Sequence, residues 1–109
     1  MDDEEFIEQF ETCTLPKECF HHRDHIRLTW LYLHRHSVIE ALTMVSEGIK
    51  KFASSHGKAD RYHETITWAY VFLIHERIAR AGREQTWEEF AGANLDLLDW
   101  EDSHSEDLL

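Results

Sequence analysis

Apolar residues along this chain recur at intervals of three and four, the period of a helix that buries one side. In residues 4–10, Phe6, Ile7 and Phe10 fall on one side, so this segment reads as a short helix laid on the rest. A longer helix is predicted over residues 17–33, with Thr14 as N-cap and Pro16 in the tolerant first turn. Its stripe is His22, His25, Ile26, Thr29 and Leu33, widened by Leu28, Trp30 and Leu31. Ser37 and Glu40 form a capping box that opens a helix over residues 38–54, and Gly57 after His56 is its stop. The next helix is predicted from Asp60, as N-cap, to about Ala81. One row is Tyr62, Ile66, Ala69 and Leu73, and the adjacent row is His63, Thr67, Tyr70 and Ile74. With Trp68, Val71, Phe72 and Ile78 added, it is apolar nearly all round and reads as the most buried helix, closed by Gly82. Thr86 with Glu89 opens a short last helix around Phe90, followed by an apolar cluster of Leu95, Leu97, Leu98 and Trp100. No stretch alternates polar and apolar for the length of a strand. The fold class is therefore all-α, a compact antiparallel bundle of about four main helices.

Charge divides the 109 residues. The formal net charge is -11, but residues 1–11 hold six acids and residues 101–109 hold four, without Lys or Arg. Between them, 12 acids meet 11 bases, so the expected organisation is one nearly neutral domain, residues 12–100, between two acidic, solubilising ends. An acidic chain is a poor fit to nucleic acid or to an anionic membrane surface. No apolar run is long enough to span a bilayer, and the acidic start does not resemble a secretion signal, so a cytoplasmic location is expected. The two cysteines, Cys13 and Cys19, are too few for a disulfide-built domain and do not form a CxxC.

Nine histidines are many for this length. His22 and His25 stand out because they share an apolar stripe, where an imidazole is costly unless paired or metal-bound. If their helix neighbours the one that begins near His63, then His22, His25 and His63 supply three nitrogen ligands for one transition metal: Zn, Fe, Ni or Cu. Glu64 is then the nearby carboxylate and candidate base, and Glu18, one turn before His22, a carboxylate behind the ligands. Trp30, Tyr62, Thr67 and Tyr70 would line a pocket for a small-molecule ligand. The same histidines can also be buried residues hydrogen-bonded to Tyr, Thr and Glu, or a metal-free acid–base relay. Cys19 beside His22 allows a Cys–His pair.

FHHRDHIRLTWLYL (residues 20–33), FASSHG (52–57), YHETIT (62–67), TWEEF and NLDLLDW together resemble a family of small, largely uncharacterised, all-helical bacterial proteins. Its pattern is F-x-H-x-x-H followed by G-x-x-x-x-Y-H-E-T-[IL]-T. Here this falls on Phe20, His22, His25, Gly57, Tyr62, His63, Glu64, Thr65 and Thr67. The resemblance spans most of residues 20–100 and implies no reaction. It puts the weight on His22, His25 and His63 rather than on His21, His34 or His36.

Two functions follow as expectations. One is a small helical metalloprotein, a metalloenzyme acting on a small molecule. The other is a non-enzymatic interaction module or homodimer, in which the helix over residues 60–81 completes its burial against a second copy or a partner helix.

Overall fold

A computed structural model describes residues 2–58, 60 and 62–98. Every element in it is helical: α1 (Asp3–Glu11), a single 3-10 turn (Lys17–Cys19), α2 (His22–Arg35), α3 (Val38–Ser55), α4 (Glu64–Ala81), α5 (Trp87–Ala93) and α6 (Leu95–Leu98). Helices α2, α3 and α4 pack against one another. Helix α1 lies on α3, and α6 lies on α2 with α5 beside it.

Local chemistry sets most of the ends. Ser37 and Glu40 exchange side-chain and backbone bonds of 3.2 and 3.0 Å at the start of α3. Thr86 and Glu89 do the same at α5, at 2.9 and 3.1 Å. Each box satisfies two amides that the helix leaves unpaired. Gly57 takes a left-handed φ of 72° after α3, and the Lys58 amide donates back to the Ala53 carbonyl at 2.7 Å.

Two predicted starts move. The long helix begins at His22, not Lys17, with the Asp24 carboxylate accepting from the His21 amide at 3.0 Å; Thr14 caps nothing there. The cause is Phe20, which is buried, stacked on Phe10 at 5.3 Å and tilted against Phe52 at 5.0 Å. Tucking this ring under the bundle breaks the backbone between the 3-10 turn and α2. The start expected at Asp60 falls at Glu64, with His63 as N-cap residue.

The acidic N-terminal residues are partly structural. Phe6, Ile7 and Phe10 are buried, while Asp3 pairs with Arg27 and Glu4 with Arg35 at 2.6 Å. Glu11 accepts a 2.6 Å bond from the Tyr32 hydroxyl. Phe10 sits so close to α3 that a Cβ on Gly48 would lie 2.6 Å from its ring. Residues 101–109, the expected acidic tail, and Trp100 lie outside the described residues.

The most buried helix is α2, which corrects the expectation for α4. Nine of the α2 side chains are buried, against four on α4: Thr67, Val71, Ile74 and Ile78. The α4 row Thr67–Val71–Ile74–Ile78 faces the core. Its other side, with Trp68 at 43% and Phe72 at 46% exposure, faces water.

Candidate functional site

The start of α2 carries its two histidines inward. They are buried, at 5% exposure for His22 and 4% for His25, with ring centroids 6.3 Å apart. Helix α4 is indeed their neighbour, but what it brings to them is Tyr70, at 5.2 Å from the His22 ring and 6.4 Å from the His25 ring. Phe20 closes the other side of His25 at 6.4 Å.

The two imidazoles are held differently. Nε2 of His22 lies 2.7 Å from the carbonyl oxygen of Leu97, which is the geometry of an N–H donor. That bond ties the first turn of α2 to α6. His25 has no protein hydrogen-bond partner at Nε2. Burial, and then the neighbouring His22, push its pKa from 6.5 down to about 3, so at neutral pH it is an uncharged imidazole. Its own carbonyl accepts the Thr29 hydroxyl at 2.9 Å. Tyr70 is held above the usual phenol range by burial and by the Asp96 carboxylate.

The remaining predicted site residues separate into other neighbourhoods. His63 and Glu64 are exposed, and Glu64 pairs with Lys50 at 3.9 Å. His63 was expected in one row with Thr67 and Tyr70. Because α4 begins after it, His63 leaves that row and stays at the surface. Glu18 is exposed on the 3-10 turn. Tyr62 and Thr67 belong to the seam between α3 and α4, where the Tyr62 hydroxyl is set near Ser46 and Thr67. Burial raises the Tyr62 pKa, Lys50 lies 5.6 Å over its ring, and the Glu64 charge adds to the rise. Trp30 stands with His34 at 4.1 Å, Trp87 at 5.8 Å and Phe90 at 6.2 Å, in the corner under α5. Trp30 is thus packed among rings of α2 and α5, whereas Tyr70 packs on His22 and His25.

Among the described residues, no group of three or more His, Cys, Asp or Glu side chains is gathered so as to hold a metal ion. The donor set expected for a three-imidazole centre is reduced here to the pair His22 and His25, with one nitrogen of that pair on Leu97. Cys13 and Cys19 are both free thiols, and Cys13 adopts an unusual left-handed φ of 60°.

A second surface differs from the rest in its apolar side chains. Among the described residues, four large apolar side chains are exposed, Ile39, Trp68, Phe72 and Leu95. Trp68 and Phe72 lie one turn apart on α4 and therefore on one face. Ala69 and Ala79 share that exposed side with the polar Thr65 and Glu76. No described helix is long and apolar enough to cross a membrane. Comparison with family models, curated proteins and solved structures finds no match for this chain.

Proposed function

We propose that this chain is a helical interaction module whose working surface is the outward face of α4. The observation that carries this reading is the pair Trp68 and Phe72, each more than two-fifths exposed on a helix whose opposite side is fully used by the core. Large aromatic rings grouped on an outer face are the usual anchors of a protein interface. The buried histidines then serve the fold: His22 fastens α2 to the Leu97 carbonyl, and His25 fills the space between Phe20 and Tyr70. Hydroxyl-radical footprinting checks this. In extract of cells that make the chain, Trp68 and Phe72 should be modified several-fold less than in dilute purified protein. Equal modification in both settings would remove the reading.

A second reading, a transition-metal protein centred on His22 and His25, is favoured by one observation. Nε2 of His25 is buried, uncharged and without a protein partner, which is the state in which imidazole binds a metal. Elemental analysis of tag-free protein grown with ample metal, repeated on H22A and H63A, decides it. A stoichiometric metal lost in H22A supports the centre; protein free of metal ends it.

A further inference from the structure

The bond from His22 to the Leu97 carbonyl fixes a proton as well as a helix. A carbonyl oxygen only accepts, so Nε2 of His22 carries the hydrogen. A histidine binds a metal as the neutral imidazole, and in that form the lone pair of His22 is on Nδ1. A bond from the far ring nitrogen to a backbone carbonyl is the arrangement that orients metal-ligating histidines and raises their basicity. His25 lies on the same face of α2, is 4% exposed, and keeps its Nε2 buried without a protein partner. The two ring centres are 6.3 Å apart. Two imidazoles on one tetrahedral metal, with bonds of about 2.0–2.1 Å, have their centres about 5 Å apart, so a side-chain adjustment of roughly 1 Å brings this pair onto a common ion.

The Leu97 carbonyl is itself held in place. Helix α6 has four residues, with Leu97 and Leu98 buried. Arg77 of α4 donates to Asn94 Oδ1 at 2.6 Å and to Asp96 Oδ2 at 2.9 Å, and the Leu97 amide donates to the Asn94 carbonyl at 3.0 Å. Resting on the transition-metal reading, we infer that α6 is the positioning element of a two-histidine metal site, in which His22 Nδ1 and His25 Nε2 are the donor atoms and the Leu97 carbonyl holds His22 in its ligating tautomer. The ion is a divalent metal that favours imidazole, such as Zn²⁺, with water in its remaining positions. A cation on Nδ1 draws electron density from the ring and makes Nε2–H the stronger donor. The ion and the docked α6 therefore strengthen each other, by the same factor in each direction.

Titration of the tag-free full chain with Zn²⁺ by calorimetry, together with amide exchange of Leu97 with and without the ion, tests this. The expected result is one saturable ion, lost in His25→Phe. The ion should slow exchange of the Leu97 amide about 10-fold in the wild type and leave it unchanged in His25→Phe. Leu97→Ala keeps the carbonyl but loosens α6, and should weaken the ion about 10-fold. Asp96→Ala removes only the surface clasp to Arg77 and should weaken it about 2- to 5-fold; it carries the test where circular dichroism shows that Leu97→Ala has lost helix content. An ion that depends on His25 while Leu97 exchange is unchanged or faster overturns the role of α6 and leaves the metal reading standing. Binding as tight in the α6 variants as in the wild type does the same. Absence of any binding that depends on His25 ends the metal reading, and this inference with it.

Discussion

Helices α2 and α4 lie against each other, and both are written largely in big apolar residues, yet they meet water very differently. Helix α2 has neighbours on nearly every side: α3 and α4 on two, α6 across its first turn, and α1 reaching it through Arg27, Tyr32 and Arg35. Polar residues are among its buried ones, with internal partners such as the Leu97 carbonyl for His22 and the His25 carbonyl for Thr29. Helix α4 has neighbours on one side only. Its Thr67–Val71–Ile74–Ile78 row is as buried as anything in α2, but Trp68 and Phe72 are left over. A small bundle has enough partners to surround one helix, not two. Apolar residues beyond that number are available for contact with another molecule.

The sharpest break in this comparison is a truncation in α2. Leu28 is fully buried, so Leu28→Ala should cost about 2–5 kcal/mol of unfolding free energy through lost transfer and a residual cavity. Urea unfolding measures it; a loss below about 1 kcal/mol would mean that α2 is less enclosed than described.

The next effect is a dependence on pH that belongs to α2 alone. His25 stays neutral in the fold down to about 3, whereas in the unfolded chain it takes a proton near 6.5. Below that pH the unfolded state binds the extra proton. The stability is therefore fully present above about 6.5 and falls by ~1.4 kcal/mol for each unit of pH on the way down toward about 3. Comparing unfolding free energies of the wild type and His25→Phe between about pH 7 and pH 5 isolates the contribution. The difference between the two proteins should shift with pH in favour of the variant as the solution is acidified. Parallel curves would show that His25 does not titrate in this way.

Two smaller effects test how α2 and α3 are clasped. His22→Phe keeps the ring but leaves the Leu97 carbonyl without its donor, at a cost of about 1–3 kcal/mol. Its distinguishing mark is faster amide exchange in α6. Gly48→Ala should also destabilise, by about 1–2 kcal/mol, although alanine is the better helix former. The new Cβ would press on the Phe10 ring, which is stacked on Phe20 and on Phe52 at 5.5 Å and has nowhere to move. A gain in melting temperature would contradict that close approach.

What was legible in the sequence follows the range of the interactions concerned. The Ser37–Glu40 and Thr86–Glu89 boxes and the stops at Gly57 and Gly82 act within one turn, and they stand where their spacing placed them. The all-helical class was legible for the same reason. The start of α2 was not, because it depends on Phe20 meeting Phe10 and Phe52 from distant segments. The neighbourhood of α2 and α4 was anticipated at the histidines, but the later start of α4 keeps His63 at the surface and leaves Tyr70 as the residue that reaches them. The bond from His22 to Leu97 spans 75 residues and involves a backbone oxygen, which no residue pattern announces. Periodicity gave α4 two apolar rows; which one finds neighbours is a property of the assembled bundle.

The smallest expected effect on folding is the most informative about α4. Phe72→Ser removes a large ring, a change that in α2 would be among the most damaging. On α4 nearly half of that ring is already in water, and no core side chain is stacked on it among the described ring contacts. Measured in a dilute sample, its cost should stay within about 0.5–1 kcal/mol, as for substitutions away from the core. A large loss in the dilute sample would place Phe72 in the core with the α2 residues, and α4 would have no spare face.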